Sequence, residues 1–317
     1  MLRATGQERS RGAPQSASGK SRRSPTVPKT GHTFLLIARN LRRSALGSAG
    51  AFVVAMIVFM ALGAPILAPY NPTAMDLAGS LRAPSWRGQQ DISHLFGTDA
   101  LGRDVLSRVI YGSRVSLMVG LTGVIVSGTI GATLGALCGY NGGRIDRIIM
   151  RIVDVQMAFP DILLAISIMA VIGPGLINLI IVLGLTGWST YARIVRAEVL
   201  SLREREFIQA AHAVGLTDSR IIVKHVLPNI LAPIIVLASF GVASNIITES
   251  SLSFLGIGVK PSTPTWGSIL ADGRDYIRDA WWLTTFPGLA TMVTVGGINV
   301  IGDWLRDYLD PKLRIER

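Results

Sequence analysis

The sequence predicts an all-α polytopic membrane protein with six transmembrane helices. Hydrophobic residues make up 49% of its 317 residues and charged residues 16%, whereas a soluble domain carries about 25% charged residues. The mean hydropathy is +0.45, and several uncharged runs approach the ~20 residues that cross a bilayer. These observations exclude a single water-soluble globule. We therefore expect the net charge of +11 to interact with membrane lipid, and we expect no nucleic acid as a partner.

The uncharged runs define the spans in chain order. The run 162–192 holds 31 uncharged residues, too many for one helix and too few for two. Gly173-Pro174-Gly175 interrupts it, because glycine and proline mark turns. The third span is therefore predicted to begin near Val153. The predicted spans are about 46–68, 115–140, 153–172, 176–192, 229–248 and 284–302.

The distribution of lysine and arginine predicts that both termini are cytoplasmic. With six spans, 23 basic residues fall on the side of the termini and 8 on the other side, and basic loops stay inside. Residues 1–33 have the composition of a disordered basic tail, expected to lie against anionic headgroups. Residues 34–317 then form the transmembrane domain. Arg42-Arg43 before an apolar run is also typical of a targeting signal, but this run of ~20 residues exceeds a usual signal, so an uncleaved first span is favoured.

The second span carries three glycines at four-residue spacing, Gly131, Gly135 and Gly139. This spacing puts them on one helix face, where small residues let another helix approach closely. That helix belongs either to this chain or to a partner subunit, and the spacing does not distinguish the two.

The cytoplasmic segment 193–228 is predicted to fold as a compact pair of helices. Residues 193–214 contain neither glycine nor proline and favour one helix, which Gly215 ends because glycine tolerates a positive φ. Thr217 or Asp218 is placed to cap a second short helix that ends before Pro228. An amphipathic interfacial linker is the simpler alternative.

Here the residues resemble a known loop. Gln209-Ala210-Ala211, then Gly215, then Leu227-Pro228 is similar in spacing to the EAA loop of ABC-importer permeases. Two positions differ from that pattern, because Gln209 stands where glutamate is usual and His225 where isoleucine is usual. The glutamine keeps hydrogen bonding but loses a charge, so an ion pair made there by relatives is not expected in this chain.

Three further stretches resemble the dipeptide, oligopeptide and nickel branch of that family. They are residues 97–117, which precede the second span, residues 154–160 at the start of the third span, and residues 252–267 after the fifth. Together with the loop, the resemblance covers roughly residues 35–310. Within the branch, the chain looks like the C-type permease.

The resemblance implies a type I ABC-importer permease fold and a non-catalytic subunit that forms half of a translocation pathway. It implies a place in the bacterial inner membrane and three kinds of partner: a second, B-type permease, two ATP-binding subunits or one fused ATPase, and an extracytoplasmic substrate-binding protein. ATP and magnesium would be bound by those partners, and no cofactor or metal by this chain. Gly19-Lys20-Ser21 echoes a phosphate loop, but Pro14 occupies the first glycine position. Di- or oligopeptides are the expected substrate, and nickel is the alternative within the family.

Three ionisable residues near the spans are candidates for the translocation pathway: Asp154, Asp161 and Glu249. Charges within a membrane indicate function by default, although all three fall near predicted span ends, where water or headgroups would solvate them. An ion-coupled secondary transporter and a membrane-anchored scaffold remain the alternative functions.

The extracytoplasmic segments 69–114 and 251–284 are expected to seat the binding protein. Asp99, Arg103, Asp104 and Arg108 are spaced to pair along a helix. Three tryptophans suit an aromatic belt at the membrane surface, namely Trp266, Trp281 and Trp282.

Overall fold

The computed structural model describes residues 40–42, 44–87 and 93–309. The predicted tail 1–33 and the segment Gly19–Ser21 lie outside the described residues. Within these ranges the chain is helical, with 3-10 turns and one isolated bridge between Thr98 and Asp104. The helices are α1 (Ala45–Leu62), α2 (Ala64–Leu67), α3 (Val105–Asn141), α4 (Gly143–Met157), α5 (Asp161–Ile172), α6 (Leu176–Arg203), α7 (Glu206–Ala213), α8 (Asp218–Ile221), α9 (Leu227–Phe254), α10 (Trp266–Gly273) and α11 (Trp282–Leu309).

Five of the described helical segments are long and apolar enough to cross a membrane. They are α1, α3, α6, the continuous stretch Asp218–Phe254 that ends in α9, and α11. A sixth span exists if α4 and α5 count as one, but these two helices are bent by 91°. The fold is therefore the all-α polytopic one that the sequence predicts.

The third span, predicted over 153–172, is broken between α4 and α5. The chain leaves helical geometry around Ala158–Pro160, because proline lacks an N–H and biases the residue before it away from helical dihedrals. The predicted break at Gly173-Pro174-Gly175 is present, since α5 ends at Ile172 and α6 begins at Leu176.

Two helices extend past their predicted spans at charged residues. α3 begins at Val105 rather than near residue 115, with the Asp104 carboxylate accepting the Ser107 N–H at 2.8 Å as a helix cap. α6 continues through Arg193 and Arg196 to Arg203. A hydropathy reading ends each span at its first charged residue. In the structure these charged residues have partners, so both helices continue past them.

The glycine face of α3 packs against α6 of the same chain. A Cβ atom built on Gly131 would lie 2.3 Å from the Trp188 carbonyl oxygen, and one on Gly135 would lie 2.5 Å from that of Ala192. Gly139 meets the Arg196 carbonyl oxygen at 2.8 Å in the same way. The residue numbers of these contacts increase in the same direction along both helices, so α3 and α6 run parallel. Of the two alternatives left open by the spacing, the structure selects intrachain packing.

The extracytoplasmic end of α3 carries a group of charges, here called the outer ion cluster, in which only Asp272 is exposed: Asp99, Arg103, Arg108 and Asp272. Asp99 and Arg103 pair at 2.6 Å, but they lie in the turn before α3 rather than along a helix, because Asp104 caps the helix after them. Arg108 bonds both Asp99 and Asp272. Asp104 instead contacts His94 at 2.9 Å.

The tryptophans only partly match the predicted aromatic belt. Trp266 is 0% exposed and Trp282 is 3% exposed. Their indole N–H groups donate to the carbonyl oxygens of Val109 and Thr98, at 3.0 and 3.1 Å. They are core residues that bond to α3 and to the segment before it, and Trp281 alone of the three stays partly exposed.

Candidate functional site

The cytoplasmic segment between α6 and α9 folds back on the ends of the spans. We call residues 206–226 the knob; they comprise α7, the turn at Gly215, α8 and a π-helical segment, Ile222–Val226. The predicted single helix over 193–214 is wrong, because α6 ends at Arg203 and Arg205 has an extended backbone. The turn lets Ile208, which is 0% exposed, pack beside Val199. A straight helix would carry Ile208 away from that core, so burial overrides local helix preference.

Gly215 ends α7 as predicted. Its φ is +82°, and no atom lies within 4 Å of the position that a Cβ would take. The Gly215 N–H donates to the His212 carbonyl oxygen and the Leu216 N–H to that of Ala211, at 2.9 and 3.2 Å. This is the Schellman arrangement, which needs a left-handed residue at that position. Glycine is thus required by backbone conformation and not by lack of space.

The knob has a buried inner face and an exposed outer face. Ile208, Ala211, Ile221 and Val226 pack with Tyr140 and the end of α6. The outer face bears Phe207, Val214 and Val223, with exposed fractions of 45, 82 and 61%, and also Gln209 and Ala210. The two predicted alanines therefore face opposite ways: Ala211 packs inward and Ala210 points out.

Tyr140, in the last turn of α3, joins the two halves of the knob. Its hydroxyl donates to the Asp218 carboxylate at 2.9 Å and lies 3.1 Å from His212 Nε2. The Arg203 guanidinium donates to the Tyr140 carbonyl oxygen at 2.9 Å. Sequence reasoning missed this junction. Asp218 was expected only as a helix cap, and nothing local connects it to a tyrosine 78 residues earlier.

The remaining loop residues lie where the chain re-enters the membrane. The Gln209 side-chain amide donates weakly to the Glu204 carbonyl oxygen, at 3.4 Å. The second helix does not end before Pro228 as predicted. Instead, the Leu227 N–H donates to the Ile222 carbonyl oxygen in a π-helical turn, and the chain continues into α9. Because Pro228 has no N–H and its ring crowds the preceding turn, the wider π-helical turn accommodates it.

The three pathway candidates have different surroundings. Asp154 forms an exposed ion pair with Arg193 of α6. Asp161 is exposed in the first turn of α5. Glu249 is 0% exposed, with the Ser253 and Ser116 hydroxyls 2.8 and 3.2 Å from its carboxylate. Headgroup or water solvation, expected for Glu249, is wrong; protein hydroxyls from α3 and α9 surround it.

Comparison with known proteins identifies the family. Residues 131–315 match the model of the binding-protein-dependent transport system inner membrane component, a range that includes the knob and both helices that flank it. The chain belongs to this family. Residues 33–84 also match the N-terminal transmembrane domain of oligopeptide transport permease C.

Curated relatives of this family member cover most of the chain. It is 44% identical over 272 residues to a di/tripeptide transport system permease protein of Pseudomonas aeruginosa, covering 86% of this chain and 89% of the relative. It is 44% identical over 297 residues to a putative peptide transport system permease protein of Brucella suis, covering 92 and 98%. A probable D,D-dipeptide transport system permease protein of Escherichia coli is 39% identical over 272 residues, 86% of this chain and 89% of the relative.

The resemblance drawn from the loop and its neighbouring motifs is therefore confirmed. The chain is a permease subunit of an ABC importer, a multi-pass protein of the inner membrane and a non-catalytic component of its transport system. Nothing in the comparisons favours a secondary transporter or a scaffold.

Proposed function

We propose that this permease imports di- or oligopeptides and that its knob receives the motion of the ATPase. The substrate proposal is supported by the peptide transport names of its relatives. The coupling proposal is supported by the knob, whose outer face presents exposed apolar side chains while its inner face is fixed to the spans. Such a surface fits a cleft on a partner protein.

The proposed assembly has three kinds of component besides this chain's own pathway half. A second, B-type permease completes the pathway, and two ATP-binding subunits or one fused ATPase bind ATP and magnesium. An extracytoplasmic binding protein delivers the peptide. The family description, a component of a binding-protein-dependent system, supports this composition in outline.

Packing around the knob gives the proposed coupling a route. α7 and α8 contact the end of α3 through Tyr140, and α3 is packed against α6 without intervening side chains along its glycine face. A push on the outer face would therefore move the cytoplasmic ends of α3, α6 and α9 together. Rigid elements with close packing transmit such displacements.

The pathway roles of Asp154, Asp161 and Glu249 stay predictions. Asp161 is the candidate best placed for contact with solute, because it is exposed at the bend between α4 and α5. Asp161→Asn should raise the KM for peptide uptake, and Glu249→Gln serves as a buried comparison. Equal kinetics in wild type and Asp161→Asn would remove Asp161 from the pathway.

Purification of the tagged permease from its native membrane tests the assembly and the substrate together. We expect a second permease and ATP-binding subunits to copurify, and peptide with binding protein to stimulate ATP hydrolysis by the complex. Stimulation by nickel and not by peptides would select the nickel alternative. A permease that purifies alone and transports solute on an ion gradient would contradict the proposal.

A further inference from the structure

α4 has three distinct faces, and two of them have no partner among the described residues. Val153 is 0% exposed and Asp146 is partly buried on the face toward α6. Next around the helix lies an apolar face whose side chains are all more than half exposed: Ile145, Ile148, Ile152 and Val155. The third face is basic.

The basic face consists of Arg144, Arg147 and Arg151, all exposed. At 3.6 residues per turn they fall within an arc of about 60°. Both aspartates of α4 are already paired with arginines of α6, Asp146 with Arg196 and Asp154 with Arg193. Within the part of the chain that the structure describes, the three arginines of α4 therefore have no carboxylate partner.

Polar contacts with α6 fix the depth of α4. Asp146 pairs with Arg196 near the cytoplasmic end of α6. Ten residues further along α4, the Gln156 side-chain amide donates to the Thr186 carbonyl oxygen at 2.8 Å, inside the uncharged part of α6. α4 therefore runs antiparallel to α6 into the membrane, and its first half, which carries the three arginines, lies at the cytoplasmic surface.

We propose that α4 is a binding site for anionic phospholipid at the cytoplasmic membrane surface. Arg144, Arg147 and Arg151 hold the phosphate, and the isoleucine face lies among the upper acyl chains. An open groove of about 490 Å³ supports this pairing, since those arginines line it together with Ile148 and Ile152. Adjacent basic and apolar arcs direct charge toward lipid headgroups and isoleucine toward acyl chains, and arginine binds phosphate through two donors at once.

The charge pattern favours lipid over a protein partner for these two faces. The cytoplasmic leaflet is anionic and attracts arginines close to its surface. A protein partner would have to supply carboxylates opposite three unpaired arginines and an apolar surface beside them. The alternative, that the partner permease covers α4 in the assembled transporter, is a distinct outcome of the test.

The first measurement is native mass spectrometry of the assembled transporter after exchange into defined mixtures of phosphatidylglycerol and phosphatidylcholine. We expect the intact transporter to retain phosphatidylglycerol preferentially. The triple variant R144Q/R147Q/R151Q should reduce that preference by about tenfold.

Two further variants serve as controls. The variant R144K/R147K/R151K should keep most of the preference because the charge remains. The matched control K260Q/R274Q/R278Q, which removes three exposed charges elsewhere, should leave it unchanged. An unchanged preference in the triple glutamine variant, or an equal loss in the control, would overturn the proposal.

A second measurement keeps the native arginines and so does not depend on how the triple variant folds. Ile148→Cys is labelled with a fluorophore in the assembled transporter, where the native Cys138 is buried. Lipids that carry a nitroxide near the headgroup should quench the label. A label that these lipids cannot reach would mean that the partner permease covers α4, and the proposal would be wrong.

Discussion

The outer ion cluster and the knob lie at opposite ends of α3 and attach to it by opposite means. In the cluster, the Asp99 and Arg108 side chains are each 1% exposed. In the knob, the polar partners of Tyr140 are open to water, with His212 at 46% and Asp218 at 67% exposed. Buried ion pairs are costly to break, whereas exposed ones contribute little. The outer end of α3 is therefore a fixed mount of buried charges, whereas at the inner end the polar contacts are weak and apolar packing holds the knob to the spans.

The largest expected effect comes from breaking the outer mount. Arg108→Ala leaves the Asp99 carboxylate buried with fewer partners, which should lower the free energy of unfolding by about 3–5 kcal/mol. Thermal unfolding of the purified transporter in detergent measures this. Arg278→Ala, at an exposed arginine, is the control and should change stability by less than about 0.5 kcal/mol. Equal stability of the two variants would mean that the cluster is not the fixed mount.

A second test concerns the close contact of α3 and α6, which joins the two ends. Gly135→Ala places a methyl group 2.5 Å from the Ala192 carbonyl oxygen, and such overpacking costs about 1–3 kcal/mol. Gly296→Ala in α11 meets no atom within 4 Å and should be neutral or stabilise by up to about 1 kcal/mol. In a thermal unfolding assay, Gly135→Ala should lower the unfolding temperature and Gly296→Ala should leave it unchanged or raise it. A Gly135→Ala variant as stable as wild type would contradict the packing argument.

Tyr140→Phe should loosen the knob alone. The substitution removes a hydroxyl that contacts Asp218 and His212, a loss of about 0.5–1.5 kcal/mol. Hydrogen exchange should become faster over residues 206–221, while exchange near the outer ion cluster stays as in wild type. Unchanged exchange in the knob would show that Tyr140 does not hold it.

The smallest effect is expected at Gln209. It is exposed, and its side-chain amide donates to the Glu204 carbonyl oxygen over 3.4 Å. Gln209→Glu restores the residue usual in the family and should change folding stability by less than about 0.5 kcal/mol. Any effect should appear in affinity for the ATPase subunits, measured by titration of the reconstituted complex. A large loss of folding stability would reveal an internal role for Gln209.

Features of the fold that depend on local sequence signals could be predicted, whereas features that depend on distant contacts could not. Uncharged runs and Gly173-Pro174-Gly175 predict the span count, and Gly215 predicts the turn in the knob, because these signals are local. The start of α3 is not predictable in this way, since one of the two carboxylate partners of Arg108 is Asp272, 164 residues further along the chain. The bend between α4 and α5 has a local signal in Pro160, but that signal does not give the angle, which is 91°.

The knob itself shows the same division. The spacing of Gln209, Gly215 and Pro228 identifies the loop, whereas the turn after Arg203 follows from burial of Ile208 against α6. Likewise, the two neighbouring alanines are equivalent in the sequence, and only the folded chain shows that Ala210 faces out and Ala211 faces in.

The most direct test of coupling through the knob compares two glycines in the reconstituted transporter. Gly215 and Gly256 have φ values of +82° and +79°, and neither has an atom within 4 Å of a built Cβ. Valine strains the backbone equally at both positions, but only Gly215 lies in the knob. We predict that Gly215→Val hydrolyses ATP with little peptide uptake, while Gly256→Val keeps the wild-type ratio of uptake to hydrolysis. A wild-type ratio in Gly215→Val at normal expression would contradict the account.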